Sequence, residues 1–274
     1  MASDRKVAFV TGVARGQGRA HAVTLASRGM DIIGLDICEN IESMDYPNAT
    51  EDDLRATVKA VEEAGGAIVA EKGDVRSNDD LRRVLALGLD TFGRVDVLLA
   101  NAGIVRLSPD GDRDRTWVDI IDVNLTGVWR TIEVVLPAIR AGGRGGSVVI
   151  TSSSAGIKGV GTDKAGALAY TASKRALVGL MQCLANEYAG EMIRVNTIHP
   201  TGVVSGMTQN SAMAALHAQA AGGEKTSISQ MQNALPIDIL QAEDIANAVA
   251  WLVSDEAAYI TGIQLPLDAG FTVR

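Results

Sequence analysis

The sequence predicts an α/β fold with a doubly wound parallel sheet. Three observations carry the prediction. Short Val- and Ile-rich runs alternate with longer stretches of helical period. Those runs are continuously apolar rather than alternating, which marks strands buried on both faces. The first run leads into a glycine-rich turn and then a helix. Strands that alternate with helices build βαβ units and a parallel sheet.

The strand candidates are Val7–Val10, Ile32–Leu35, Ala67–Val69, Val95–Ala100, Val148–Ile150, Ile193–Ile198 and Ile263–Leu267. The helix candidates are Gln17–Arg28, Asp52–Ala64, Asp79–Phe92, Thr116–Arg140, Ala167–Tyr188 and Ala242–Leu252. Within Thr116–Arg140, Val118, Ile121, Leu125, Val128, Ile132 and Val135 recur at helical spacing, a stripe for the core or for a subunit partner. Trp117, Trp129 and Trp251 read as core or interface anchors. Glu39–Thr50, which contains Pro47, reads as an extended loop before a helix. Val203–Pro236 reads as a lid, with Met207, Met213, Leu216, Ile228 and Met231 among its apolar members. A loop of that length in a compact domain is usually functional or disordered. For these methionines, ordinary core packing and an adaptable apolar pocket weigh equally.

The 274 residues show one composition regime and no repeat, so a single domain over 1–274 is expected. The 47% hydrophobic content excludes a disordered chain. A net charge of −8 without a basic cluster argues against nucleic acid as a partner. No apolar run approaches the roughly 18 residues of a membrane span. Cys38 and Cys183 make neither a disulfide framework nor a metal-ligand spacing, and Cys183 reads as a small core hydrophobe. His21, His199 and His217 are scattered and read as surface or cap residues, so no metal is assigned. The N-terminus lacks a secretory pattern, and a cytoplasmic protein is expected.

Thr11-Gly12-Val13-Ala14-Arg15-Gly16-Gln17-Gly18 follows the first strand. Glycines in such a loop turn the chain sharply and let the backbone approach a diphosphate. The helix N-terminus behind it offers unpaired N–H groups and a positive dipole end. The expected architecture is a single-domain Rossmann-type fold with a seven-stranded parallel sheet and helices on both faces. Asp36 ends the second strand, 18 residues after Gly18. An acid near that spacing meets the adenosine ribose. At ~4 Å and an effective dielectric near 20 a carboxylate repels each phosphate charge by ~4 kcal/mol. That favours NAD over NADP, while the Arg15 guanidinium argues the other way. Asp74 and Val75 follow the third strand and Asn101, Ala102 and Gly103 the fourth, on the edge where ligands bind. Asp74 is a candidate acceptor for the adenine amino group. For Asn101, ligand contact and a bond within its own loop weigh equally.

Tyr170 and Lys174 share a helix face. A phenol near pKa 10 needs about three units, or ~4 kcal/mol, to exchange protons near neutrality, and an ammonium beside it acts in that direction. Upstream, Thr151, Ser152, Ser153 and Ser154 end a buried strand, and any one of them can orient a carbonyl oxygen or be a polar strand end only. Asn124 lies inside a predicted helix, where it either holds a proton-relay water or is merely exposed.

Together these segments resemble the short-chain dehydrogenase/reductase family, over nearly the whole chain. The matching motifs are TGVARGQG at Thr11–Gly18, DV at Asp74-Val75, NAG at Asn101–Gly103, Asn124, SSSAG at Ser152–Gly156, YTASK at Tyr170–Lys174 and RVNTIHPTGV at Arg194–Val203. The resemblance implies a catalytic tetrad of Asn124, Ser153, Tyr170 and Lys174, with Ser153 chosen because it stands three residues before Gly156. It implies NAD contacts from Gly12, Arg15, Gly16, Gln17, Gly18, Asp36, Ile37, Asp74, Val75, Asn101, Ala102, Gly103, Tyr170, Lys174, Pro200, Thr201, Val203 and Ser205. It implies a homotetramer built through the long helices. The Glu39–Thr50 insertion, TSSSAGIKG and NTIHPTGV are similar to the actinobacterial carveol-dehydrogenase-like, mycofactocin-dependent subgroup. That subgroup implies tightly held NAD and oxidation of an apolar, terpenoid-like secondary alcohol to its ketone. Val204-Ser205-Gly206-Met207 departs from the subgroup's Asn-Thr-Pro-Met. Two rival readings stand beside it: an NADPH-linked ketoreductase and a non-catalytic dinucleotide sensor.

Overall fold

The computed structural model describes residues 4–108, 111–160, 163–224, 226 and 232–274. Its strands are β1 Val7–Thr11, β2 Asp31–Asp36, β3 Ile68–Lys72, β4 Val97–Ala100, β5 Gly146–Thr151, β6 Ile193–Pro200 and β7 Gln264–Leu267. They form one parallel sheet in the order β3-β2-β1-β4-β5-β6-β7. The order reverses between β1 and β4, which opens a crevice beyond their carboxyl ends. The fold is the expected Rossmann-type α/β architecture with a seven-stranded parallel sheet and flanking helices.

Side chains alternate across each strand. Val7 and Phe9 of β1 join Ile33, Leu98, Val148 and Ile150 on one face, against Leu81, Ile132 and Leu177. Ala8 and Val10 join Ile32, Val97, Leu99 and Val149 on the other, against Leu25, Ile245 and Val249. The first face is covered by helices α3 Asn78–Phe92, α4 Arg113–Ile121, α5 Gly127–Ala141 and α7 Ala165–Tyr188, the second by α1 Gly16–Ser27, α2 Glu51–Glu63 and α9 Ala242–Leu252. Burial on both faces holds for the central strands. The edges β3 and β7 are only half-buried, because no strand flanks their outer side.

The predicted helix Thr116–Arg140 is not continuous. It begins at Arg113, where Asp112 caps the Arg115 N–H at 2.9 Å, and a π-turn over Asp122–Thr126 separates α4 from α5. Two short helices stand where loops were expected. Helix α6, Ser154–Lys158, is capped by Ser153, and α8, Ser211–Ala221, lies inside the expected lid with Asn210 accepting from the Met213 N–H at 2.8 Å. The alanine run after Asn210 is a strong helix former and was the readable signal for α8. Ile228 and Met231 of the lid lie outside the described residues.

Other expectations are corrected. Cys183 is exposed, since it sits on the outer face of α7. Trp117 and Trp129 are 41% and 47% exposed, so they do not anchor this chain's core. His21 and His199 are fully buried rather than at the surface. Among the described residues, no helix is long and apolar enough to cross a membrane, and no His/Cys/Asp/Glu group can hold a metal ion.

Candidate active site

The glycine loop is locked from behind. Arg19 donates to the Ala14 carbonyl at 2.6 Å and to Thr57 Oγ1 at 2.8 Å. The Gly12 N–H reaches the Leu35 carbonyl at 2.8 Å, which ties the loop to β2. A Cβ on Gly18 would stand 1.9 Å from the Gly12 carbonyl oxygen, so only glycine lets the helix start this close to the strand. No side chain caps α1, and its first N–H groups are left to an anion.

The groove beyond the loop is lined by Gly12, Arg15, Gly16, Gln17, Gly18, Asp36, Ile37, Asp74, Val75, Asn101, Ala102, Gly103 and Ser205. Those positions of the expected cofactor set therefore converge. Asp36 accepts from the Ala14 N–H at 2.9 Å and the Cys38 N–H at 3.2 Å. Burial raises its pKa, and those two N–H groups and Arg15 act against the rise. Arg15 donates to the Pro47 carbonyl at 2.7 Å. Asp74 is paired with Arg76, at 2.7 Å from its Nη2. Asn101 bridges strand ends: its Nδ2 donates to the Thr11 carbonyl at 3.0 Å, and its Oδ1 accepts from Thr151 at 3.4 Å.

One wall of the groove was not foreseen. The Glu39–Thr50 insertion folds over it and contributes Ile41, Tyr46, Asn48 and Ala49. Arg106 donates to the Ser43 carbonyl at 2.8 Å, Ser43 to Asp119 at 2.6 Å, and the Val105 N–H to Tyr46 Oη at 3.2 Å. Ser108 hydrogen-bonds Asp45. Burial pushes the Tyr46 phenol up to about 12. Periodicity carries no signal for such a wall, since its contacts are to distant loops.

A second crevice adjoins the groove and brings Gln17, Asn101, Gly103, Tyr170, Lys174, Pro200, Thr201, Val203 and Ser205 together. The Ser153 hydroxyl lies beside the Tyr170 phenol, near enough to act on its pKa. Lys174 Nζ lies 5.7 Å from the centre of the Tyr170 ring and donates to the Thr151 carbonyl at 2.8 Å. The hydroxyl run is thereby sorted. Ser152 is bonded to the Lys174 carbonyl at 2.7 Å, and Ser153 is the one whose hydroxyl acts on the Tyr170 phenol. His199 underpins it, its Nδ1 2.9 Å from the Ser153 carbonyl and its Nε2 2.9 Å from Thr197 Oγ1. Sequence reasoning missed that support.

Asn124 is fully buried in the π-turn. Its Oδ1 accepts from the Ile104 N–H and its Nδ2 donates to the Ile104 carbonyl, both at 2.8 Å. The exposed alternative is overturned, and the side-chain amide is fully engaged. π-turns of this kind recur at functional sites. A Cβ on Gly103 would lie 3.3 Å from Lys174 Nζ and 3.4 Å from Asn124 Oδ1, so this glycine keeps the crevice open.

Electrostatics differ from the expectation of a lowered phenol pKa. Burial raises Tyr170 above its ordinary value, and only the Ser153 hydroxyl acts against that. Burial also lowers Lys174 to about 8. An apolar cavity of about 310 Å³ opens beyond Ser153 and Tyr170, lined by Val105, Leu107, Ala155, Met207, Met213 and Ile239 with His217 and Asp238. The Val203–Leu240 bridge and the Val204 N–H to Leu240 carbonyl bond of 2.9 Å pin the base of the segment that closes it.

The short chain dehydrogenase family model matches residues 6–216. The chain is 51% identical over 266 residues to an uncharacterized oxidoreductase of Mycobacterium tuberculosis, covering 97% of this chain and 96% of the relative. It is 43% identical over 276 residues to (-)-trans-carveol dehydrogenase of Rhodococcus erythropolis, covering 98% of each. Among solved structures, carveol dehydrogenase from Mycobacterium avium in complex with NAD aligns with a TM-score of 0.89 and 40% identity over 100% of each chain. The residues that converge here and the extent of those likenesses agree: the chain belongs to the short-chain dehydrogenase family of oxidoreductases.

Proposed function

We propose that the protein oxidises an apolar, terpenoid-like secondary alcohol to its ketone, reversibly, with NAD as hydride acceptor. The observation that carries this reading is the position of Tyr170. It lines both the crevice beside the glycine-loop groove and the apolar cavity, with the Ser153 hydroxyl and Lys174 alongside. The groove fits a dinucleotide. The Gly18 contact and the uncapped α1 suit a diphosphate, and Asp36 suits a ribose hydroxyl pair. Asp36, buried at the strand end, is the charge proposed to disfavour a 2′-phosphate, against the neighbouring Arg15 cation.

NAD held in the groove would supply the acceptor for the hydride that leaves the carbinol carbon. The chain's own residues handle the proton. Tyr170 Oη accepts it from the substrate hydroxyl, and Ser153 Oγ orients that oxygen. Lys174, still largely charged at neutral pH, favours the phenolate and would hold the nicotinamide ribose. Asn124, its side-chain amide locked on Ile104, is the proposed residue that positions a proton-relay water beside Lys174. Pro200, Thr201, Val203 and Ser205 border the nicotinamide end. The cavity, near the small end of ligand sites, fits a single-ring alcohol. The insertion over the groove supports a retained cofactor, as the mycofactocin-dependent resemblance implies, and the family resemblance extends the proposal to a homotetramer.

Spectrophotometric assays with carveol and other cyclic secondary alcohols test the reading. NAD should support turnover and NADP should not. Tyr170→Phe should lower kcat by about 10²-fold or more while NADH binding persists. A Phe variant that keeps most of the rate would refute the proton path. Turnover with NADP alone would refute the role of Asp36.

A further inference from the structure

Past the paired residues of β5 and β6, the Ser152 N–H still reaches the Ile198 carbonyl at 2.9 Å. One residue further along both segments, a side chain continues the hold. His199 Nδ1 lies 2.9 Å from the Ser153 carbonyl. The ring is fully buried, and its Nε2 lies 2.9 Å from Thr197 Oγ1.

These contacts assign the ring proton. A carbonyl oxygen only accepts, so Nδ1 carries the N–H and donates to it. Burial, and further down the Lys174 charge, lower the His199 pKa, so the ring is neutral and Nε2 is bare. The bare nitrogen accepts from the Thr197 hydroxyl. That hydroxyl has a rival acceptor in the Ile263 carbonyl at 3.3 Å, but the Thr197 N–H already meets that carbonyl at 3.0 Å. The hydrogen bonds therefore run one way, from Thr197 O–H to Nε2 and from Nδ1–H to the Ser153 carbonyl. At their end stands the hydroxyl beside Tyr170. Ser153 Oγ accepts from the Ala155 N–H at 3.2 Å, and its carbonyl also accepts from the Gly156 N–H at 2.9 Å. Those two bonds belong to the first turn of α6. The His199 bond fixes Ser153 to the neighbouring strand. With Oγ engaged as an acceptor, its O–H remains to donate to an oxygen in the cavity that Ser153 lines.

We infer that His199 is a positioning residue, whose Nδ1–H tautomer, supported by Thr197, holds the Ser153 carbonyl and so aims the Ser153 hydroxyl at the reacting oxygen. The inference rests on the proposed alcohol oxidation. His199 lines none of the groove, the crevice and the apolar cavity, so it acts through Ser153.

Two measurements on the intact protein test this. In solid-state ¹⁵N NMR of histidine-labelled protein, the His199 signals, identified by their loss in His199→Asn, should show the proton on Nδ1 and a bare Nε2. In alcohol oxidation, amide side chains separate the two ring nitrogens. Asn carries its amide on Cγ, as His carries Nδ1, whereas Gln reaches the place of Nε2. His199→Gln and His199→Leu should each lower kcat about tenfold, the effect of one lost buried hydrogen bond, with NADH affinity unchanged. His199→Asn should recover most of kcat although it leaves the larger void. A merely structural role would reverse that order. Introduced into Ser153→Ala, His199→Leu should cause no further loss of kcat, because its effect passes through the missing hydroxyl. If His199→Leu does not fold, His199→Gln takes its place in that background. A proton on Nε2, an Asn variant no better than Gln, or an additive loss in Ser153→Ala would overturn the inference while alcohol oxidation by the wild type stands. A wild-type protein that oxidises no secondary alcohol would overturn both.

Discussion

At the scale of single residues, the site places two groups against their ordinary charge states. Tyr170 is harder to ionise than a free phenol, and Lys174 is easier to neutralise than a free amine, both because of burial. Neither is therefore prepared alone. A phenolate becomes favourable when Lys174 keeps its proton and a positively charged nicotinamide stands beside them, since each cation offsets the desolvation of the anion. Removing the nearer cation should raise the apparent pKa of the acid limb, below which the phenol is protonated and cannot act as the base. For Lys174→Met the limb in kcat/KM for alcohol oxidation, at saturating NAD, should move up by at least about one unit, with kcat falling about 10²-fold. An unmoved limb in the pH–rate profile would show that another group is titrating. His21 gives a second pH effect, on stability. Its folded pKa, about 4, lies below the unfolded value of 6.5, so the unfolded chain binds more protons between them. Stability is then fully present above pH 6.5 and lost as the pH falls toward 4, by roughly 3 kcal/mol for this one group. Urea titrations at pH 7 and pH 5 should show a smaller loss for His21→Phe than for wild type. An equal loss would place the acid sensitivity elsewhere.

At the scale of elements, the contribution of the insertion can be isolated. Tyr46 Oη is the acceptor for the buried Val105 N–H, and that bond joins the insertion to the loop after β4. Tyr46→Phe keeps the packing and strands the N–H, a loss of about 1–3 kcal/mol. It should lower the unfolding midpoint and speed NADH release in a stopped-flow chase. Unchanged release would mean that the insertion does not gate the groove. This wall marks where sequence reading ended. Thr11–Gly18 and the Tyr170/Lys174 pair were legible because their function depends on local spacing: a tight turn before a helix, and two side chains one turn apart. Asp36 was legible because a strand end has one address at the sheet edge. The insertion, the π-turn at Asn124 and the burial of His199 were not, because each is set by a partner distant in the chain. Asn124 departs from α geometry as its amide bonds both polar groups of Ile104, and no pattern within Thr116–Arg140 encodes that meeting. The unexpected exposure of Cys183 has the same origin: an apolar stretch in a long helix does not tell which residue faces outward.

At the scale of the molecule, the same helices that cover one sheet face leave apolar surface outside. Val118 is 50% exposed on α4, Leu168 is 47% exposed on α7, and Trp129 on α5 is 47% exposed beside a furrow lined by Leu85, Leu89 and Val134. The inner side of α5 meanwhile buries Val128, Ile132 and Val135 in the core, so the helix is apolar on two sides. A helix that is polar outside needs no partner, whereas one that is apolar on both sides is stable in water when its second side is covered. Tryptophan at such a surface commonly dominates association. If the proposed homotetramer forms through these helices, native mass spectrometry of the wild-type protein should give four times the 28.6 kDa chain mass. Trp129→Glu should shift the distribution toward smaller species, because a carboxylate at the centre of the interface has to be desolvated without a partner. Since Trp129 lines neither the groove nor the apolar cavity, a dissociated variant that still binds NADH would assign this surface to assembly alone. A wild-type protein that runs as a single chain would remove the tetramer from the proposal and leave the site chemistry intact.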